Sequence, residues 1–233
     1  MISLDALSND LAGWLARVLV APGLLDPVCF EDAFVAIVES VSDDPVEAWL
    51  AFYRNTLRAL RDGGMPGGTN ADFAAVHDRA AALAVGQDMV DLGCGFGFLA
   101  LRLASVGHRA TAVDVSPGTV ALLARMSRLL DLHVDVVAGD ARAAPLAAGS
   151  ADTVLAIHLL EHVPERSWAG VLSEMLRIAR RRVVVAVPYE PQPNPTWGHV
   201  SRFDRRSLQA LGDTTRLPFE VSDHHGGWLV VEC

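Results

Sequence analysis

The sequence predicts an α/β protein built on a doubly wound, mostly parallel sheet with a helical extension ahead of it. Three observations carry that prediction. From Met89 onward, short apolar runs alternate with longer segments of helical periodicity. The first three of those runs each end in Gly or Asp, at Asp91 to Gly93, at Asp114 and at Gly139-Asp140. Ahead of Gly63 the chain carries apolar stripes at helical spacing and nothing that reads as a strand.

Leu4, Leu7, Leu11, Leu15, Val18 and Leu19 predict a first helix over 3–20, stopped by Ala21-Pro22-Gly23. Phe30, Phe34, Ile37, Val38 and Val41 predict a second, ended by Asp43-Asp44-Pro45. Val46, Leu50, Tyr53, Leu57 and Leu60 predict a third. The glycine-rich segment 63–68 then divides a helical region, residues 1–68, from a second domain, residues 69–233. Thr69 or Asn70 caps a fourth helix that turns Phe73, Val76, Ala80 and Leu83 inward.

Met89 and Val90 open the first strand, three alternating glycines follow, and Phe98, Leu99, Leu101 and Leu103 resume as a helix. Residues 109–114 read as the second strand. Ser116-Pro117 supplies cap and first-turn chemistry for a helix with Leu122, Leu123, Met126, Leu129 and Leu130 on one face. Residues 133–138 and 152–157 are the third and fourth strands. Pro164 opens a helix with Trp168, Val171, Leu172, Met175 and Leu176 inward. The run 182–187 is apolar almost throughout, as a strand covered on both faces requires. Two short runs, 217–221 and 228–231, close the chain.

A chain of 233 residues is one large domain, or one domain with an appendage. Its net charge of −9 argues against a nucleic-acid partner, because phosphate binding needs a basic surface. Every one of its basic side chains is Arg. Cys29, Cys94 and Cys233 are far apart, and no Cys/His spacing reads as a metal site, so no metal is expected. No apolar run reaches membrane-spanning length or resembles a leader, which predicts a cytoplasmic protein without a membrane partner.

A strand that turns sharply into a helix leaves backbone N–H groups to meet a polar ligand, and glycine admits that ligand closely. By itself the turn 93–97 reads equally as an ordinary tight turn. Asp114, ending the next strand, stands a fitting distance on to reach a ribose hydroxyl pair. At this point the runs VDLGCGFGFLA, AVDVSP and GDARAAPLAAGSADTVLAIHLLEHVP resemble the class I S-adenosylmethionine (SAM)-dependent methyltransferases. The spacing GxGxG departs from the dinucleotide fingerprint GxGxxG, and the resemblance extends from about Phe73 to the C-terminus.

The resemblance implies a seven-stranded, Rossmann-like methyltransferase sheet with an antiparallel final strand. It implies SAM as cofactor, with S-adenosylhomocysteine as product. Gly93, Cys94, Gly95 and Gly97 would border the methionine part, with Asp91 near its charged end. Asp114 would accept from the ribose hydroxyls, with Val115 beside it. Asp140 would meet the adenine amino group, with Ala141 offering its N–H, and His158 would stand near the transferred methyl. For Asp114 and Asp140 the plain alternative is a carboxylate capping a strand–helix turn.

SAM brings an activated methyl, so the protein has mainly to hold the acceptor in line and remove its proton. Ligands in open α/β sheets bind beyond the carboxyl ends of the strands. That selects His158, Glu161 and His162 after the fourth strand, and the proline-rich segment 189–204 after the fifth, which carries Trp197, His199 and Arg202. The expected base is His199, then His162, then His158; for Glu161-His162 the alternative is a hydrogen bond at the start of a helix. His224-His225 lacks the acidic cluster a metal site needs.

The segments GHVSRFD and GGWL also resemble actinobacterial methyltransferases that modify sugars or small natural products, among them the mycofactocin oligosaccharide methyltransferases. The expected activity is methylation of a hydroxyl on a sugar, oligosaccharide or secondary metabolite. The alternatives are an N-methyltransferase, and a SAM-binding cyclase or regulatory protein that transfers no methyl. The N-terminal helices are expected to act as a lid, or else as packing or homodimer elements.

Overall fold

The computed structural model describes residues 2–233, and seven strands in it form one sheet. They are β1 (Asp88–Leu92), β2 (Arg109–Asp114), β3 (Val134–Ala138), β4 (Ala151–Ile157), β5 (Ala179–Val187), β6 (Phe219–Asp223) and β7 (Gly227–Glu232). Their spatial order is β3-β2-β1-β4-β5-β7-β6. β1 to β5 pair in parallel, and β7 runs antiparallel to both β5 and β6. The chain winds outward from β1 through β2 to β3 and then returns to place β4 on the other side of β1. That reversal opens a crevice at the carboxyl ends of β1 and β4.

Eight helices accompany the strands among the described residues: α1 (Asp10–Leu15), α2 (Phe30–Glu39), α3 (Pro45–Asp62), α4 (Thr69–Leu83), α5 (Phe98–Ser105), α6 (Pro117–Leu129), α7 (Trp168–Ile178) and α8 (Arg205–Asp213). α5 packs on β1 and β2, α6 on β2 and β3, α7 on β4 and β5, and α8 on β6 and β7. Helices of this kind bury the centre of the sheet, so Val183 to Val187 form an unbroken apolar run. No helix is long and apolar enough to cross a membrane.

The contacts divide the chain into two units. One comprises the residues up to His77 together with Asn194–Gly198; the other comprises Asp78–Pro193 and His199–Cys233. The glycine-rich segment 63–68 lies inside the first unit. Its core is a chain of edge-packed rings, Phe34 on Phe52 at 5.7 Å and Phe52 on Trp49 and Tyr53 at 5.4 and 5.9 Å.

The helix expected over 3–20 is broken. It runs as a 3-10 turn (Leu4–Ala6), then α1, then a π-helical turn (Ala16–Val20). The cause is capture of its backbone by α3. Asn55 Nδ2 donates to the carbonyls of Leu4 and Leu7, and Asn9 N–H donates to Thr56 Oγ1, so the first turn gives up its own ladder.

In the second unit each expected strand is present, and one helix is present that periodicity did not indicate. α8 is set by a reciprocal cap: Asp204 Oδ1 accepts from Ser207 N–H at 2.7 Å, and Ser207 Oγ accepts from Asp204 N–H at 2.9 Å. The edge away from the crevice is pinned by Asp152, whose Oδ2 accepts from the N–H groups of Gln87 and Asp88. Those two N–H groups, with Arg180, hold the Asp152 carboxyl down at about 2.

Candidate functional site

The turn after β1 is built by hydrogen bonds that leave one position open. Gly93 and Cys94 N–H both donate to Val113 O, and Gly97 N–H donates to Cys94 O. Gly93, Gly95 and Gly97 all lie in the left-handed region, with φ of +70°, +52° and +75°. A Cβ on Gly93 would run into Leu159, and one on Gly97 into Leu123. A Cβ on Gly95 would meet nothing within 4 Å, so the backbone there faces open space.

Three carboxylates stand along the same rim: Asp91 and Asp114 within the last two residues of β1 and β2, and Asp140 two residues beyond β3. Asp91 is buried, and its carboxyl is pushed up to about 7, first by burial and then by the Asp114 charge. Asp114 Oδ2 accepts from Gly95 N–H and its Oδ1 from Ser116 N–H, both at 2.9 Å. It thus ties the glycine turn to the start of α6, with lone pairs left for further donors. Val115 beside it is 72% exposed, an apolar side chain displayed at the rim.

Asp140 is gripped by Arg142, whose backbone N–H donates to Oδ1 at 2.8 Å and whose guanidinium reaches both oxygens. That pairing holds the Asp140 carboxyl below its usual range. Sequence reasoning overlooked Arg142, although an Asp and an Arg two residues apart at a turn were there to be weighed. Cys94 carries a thiol pushed up by burial and by Asp91 and Asp114, the opposite of what a nucleophilic thiolate needs.

The other side of the crevice is formed after β4 and β5. His158 leaves β4 with φ at +56°, a conformation uncommon outside glycine, and its N–H is held by Ala186 O on β5. Its Nδ1 lies 3.3 Å from Glu161 Oε1. Glu161 is buried on the 3-10 turn Leu160–His162. Its carbonyl accepts from Val200 N–H at 2.8 Å and from Ser201 N–H at 3.0 Å, which brings the segment after β5 back over that turn.

The fold-back places His199 against His162, with ring centroids 4.9 Å apart and planes nearly perpendicular. His199 Nδ1 sits 2.7 Å from Glu190 Oε2. A carboxylate only accepts, so Nδ1 donates and the neutral ring keeps its lone pair on Nε2. Glu190 lay in the segment singled out from the sequence, but its role as orienting partner was not foreseen. Trp197 and Arg202 do not join His199. Trp197 packs edge-on against Phe30 in the first unit, and Arg202 is exposed with Nη1 on Pro191 O. The His224 and His225 rings stand 4.8 Å apart, with no third ligand-type side chain grouped with them among the described residues.

A groove of about 580 Å³ runs beside Glu190, lined also by Trp168, Arg202 and Phe203. It contains none of the glycine turn, Asp114 or Asp140, and so is separate from the crevice at the ends of β1 and β4.

Residues 89–182 match the methyltransferase domain family, which spans the glycine turn, all three rim carboxylates and the Glu161-His162 turn. The matched stretch, residues 89–182 of 233, is thus similar to SAM-dependent methyltransferase domains. Over 158 residues the chain is 33% identical to a "Probable S-adenosylmethionine-dependent methyltransferase" of Mycolicibacterium smegmatis, covering 65% of this chain and 59% of that one. A ubiquinone biosynthesis O-methyltransferase of Burkholderia vietnamiensis is 31% identical over 121 residues, covering 48% and 51%. The aligned stretches thus span less than two thirds of those relatives' own lengths. The magnesium protoporphyrin IX methyltransferase of Synechocystis, solved with bound S-adenosylhomocysteine, shares the fold at a TM-score of 0.54 and 16% identity, covering 77% of this chain and 92% of that one.

Proposed function

We propose that this chain transfers the methyl group of SAM to a hydroxyl of a small acceptor: a sugar or oligosaccharide, the mycofactocin glycan among them, or a secondary metabolite. The observation that carries the reading is the imidazole of His199, oriented by Glu190 and set beside His162 beyond the ends of β4 and β5. An amine acceptor needs only its proton kept off. A hydroxyl is a poor nucleophile near neutral pH and needs a group to take its proton, which is what a carboxylate-oriented imidazole supplies.

In this reading Gly93, Cys94, Gly95 and Gly97 border the methionine part, and the ammonium of SAM meets Asp91. Asp114 and Val115 hold the ribose, Asp140 and Ala141 the adenine, and His158 stands near the methyl. The acceptor oxygen attacks the methyl carbon in line with sulfur. The carbon–sulfur bond breaks with its electrons staying on sulfur, S-adenosylhomocysteine leaves, and the hydroxyl proton passes to the His199 side. His162 and His158 follow His199 as candidates for that proton.

The test is S-adenosylhomocysteine formation from SAM across a panel of sugar, phenolic and amine acceptors. Product with hydroxyl acceptors supports the reading. Product with amines alone makes the chain an N-methyltransferase, and SAM binding without product across the panel makes it a SAM-binding protein of another kind.

A further inference from the structure

The geometry points to a site for one divalent first-row transition cation, of the Zn²⁺ or Mn²⁺ kind, held by Glu161, His162 and His199. No spacing in the sequence indicated it, because the third ligand arrives from 37 residues beyond the second through the fold-back onto the Glu161 carbonyl.

Three observations support the site independently. One ligand atom from each of the three residues lies within 4.8 Å of the other two. Donors around an ion with bonds of about 2.1 Å stand roughly 3.0–3.4 Å apart, so the set closes on a cation by modest side-chain rotation, chiefly of exposed His162. Glu161 is buried, at 1% exposure, yet neither carboxylate oxygen accepts a hydrogen bond. A carboxylate taken from water without hydrogen bonds calls for neutralisation, and the His158 ring 3.3 Å from Oε1 covers one side of it only.

The third observation is the Glu190–His199 pair. A ligating His characteristically donates its other ring nitrogen to a carboxylate, which fixes the tautomer and aims the lone pair at the metal. His199 Nδ1 on Glu190 Oε2 at 2.7 Å has that arrangement. Two imidazoles and one carboxylate suit a first-row transition ion better than Mg²⁺ or Ca²⁺, which favour oxygen ligands. Three protein ligands leave coordination positions for water or an acceptor oxygen.

This inference rests on the proposed function for its consequence but not for its existence. With the cation bound, the His199 Nε2 lone pair would lie on the metal, so His199 would hold the ion and would not itself take the proton. Glu161, His162 and His199 would hold the cation, and it would supply Lewis-acid chemistry that eases loss of an acceptor hydroxyl's proton to water.

The experiment titrates ZnCl₂, MnCl₂ and MgCl₂ separately into the chelator-treated full chain by calorimetry, with neither SAM nor acceptor present. One equivalent of Zn²⁺ should bind more tightly than Mn²⁺, and both more tightly than Mg²⁺. His199→Ala, His162→Ala and Glu161→Gln should each weaken Zn²⁺ by at least about tenfold, and Glu190→Gln by about 10–100-fold as the orienting partner. Glu161 is buried, so each variant is checked for fold by circular dichroism and S-adenosylhomocysteine binding; should Glu161→Gln fail that check, His199→Ala and His162→Ala decide. Absence of binding overturns the inference, as does Zn²⁺ binding that survives those variants and is lost in His224→Ala/His225→Ala. One-equivalent binding without methyl transfer to any acceptor refutes the function and leaves the site. Transfer at an undiminished rate in excess chelator, with no calorimetric binding, refutes the site and leaves the function.

Discussion

Asp91→Asn separates what the fold tolerates from what the cofactor requires. The Asp91 carboxyl is buried and raised from 3.8 to about 7. Such a group keeps its proton in the folded chain between those values, while the unfolded chain gives it up. Its contribution is therefore favourable at low pH, declines as pH rises through 3.8 toward 7, and is level above that. A displacement of that size corresponds to about 4 kcal/mol at 1.36 kcal/mol per pH unit. Asn cannot ionise, so the ligand-free Asp91→Asn chain should escape the decline. Urea unfolding without SAM, at a series of pH values from 4 to 8.5, should show the variant gaining on the parent by up to about 4 kcal/mol as pH rises. On the proposed placement of SAM, saturating cofactor should reverse the advantage, because the ammonium would compensate the ionised carboxylate and would have no such partner in Asn. A variant-minus-parent difference that is flat with pH would refute the argument.

Asp114→Ala should cost SAM about 1.5–3 kcal/mol by calorimetry, the range for hydrogen bonds to a charged group; unchanged affinity would confine Asp114 to the Gly95 and Ser116 N–H groups it already serves. His199→Ala should lower kcat by about 10²–10⁴-fold with SAM affinity retained, and a rise in acceptor KM alone would make it a binding residue. Gly97→Ala should lose clearly more thermal stability than Gly95→Ala, because only at 97 does the methyl meet Leu123 as well as a left-handed backbone. Gly95→Ala should cost about 1–2 kcal/mol of backbone strain and weaken SAM; equal melting losses at the two positions would contradict open space at Gly95.

The side of the crevice formed by β1, β2 and β3 was legible because its determinants are local. Strand, glycine turn and helix follow one another within a dozen residues, and each strand brings its own acid to the rim. The first helix was misread for the converse reason. Asn55 and Thr56, far along the chain, take its backbone groups, and no stripe of leucines reports that competition. The side formed after β4 and β5 fell between. His162 and His199 could be named as chemistry-bearing residues after β4 and β5, but that they meet depends on two hydrogen bonds to a carbonyl 39 and 40 residues back. Trp197 and His199, two residues apart, fall into different units, Trp197 packed on Phe30 and His199 on His162. Residue types announce chemistry, whereas long-range backbone bonds decide which of those residues share a site.

That fold-back can be tested without touching any group that meets a ligand. Ser201 is buried, its N–H donates to Glu161 O, and its Oγ donates to Val163 O at 2.8 Å. Beside it the Trp168 Nε1–H donates to the same Val163 carbonyl at 3.0 Å, and the Trp168 ring stacks on Phe203 at 3.9 Å. Ser201→Ala removes only the hydroxyl. Val163 O stays satisfied through Trp168, so the loss should be about 1 kcal/mol, the net worth of one hydrogen bond, and not the larger penalty of an orphaned acceptor. If the strap matters for placing His199, kcat should fall several-fold while SAM affinity holds, because the glycine turn and rim carboxylates are untouched. Zn²⁺ affinity should fall with kcat, since His199 Nε2 would be less firmly aimed. A variant that melts earlier but keeps full kcat and Zn²⁺ affinity would mean that the two backbone bonds to Glu161 suffice to seat His199, and that Ser201 serves stability alone.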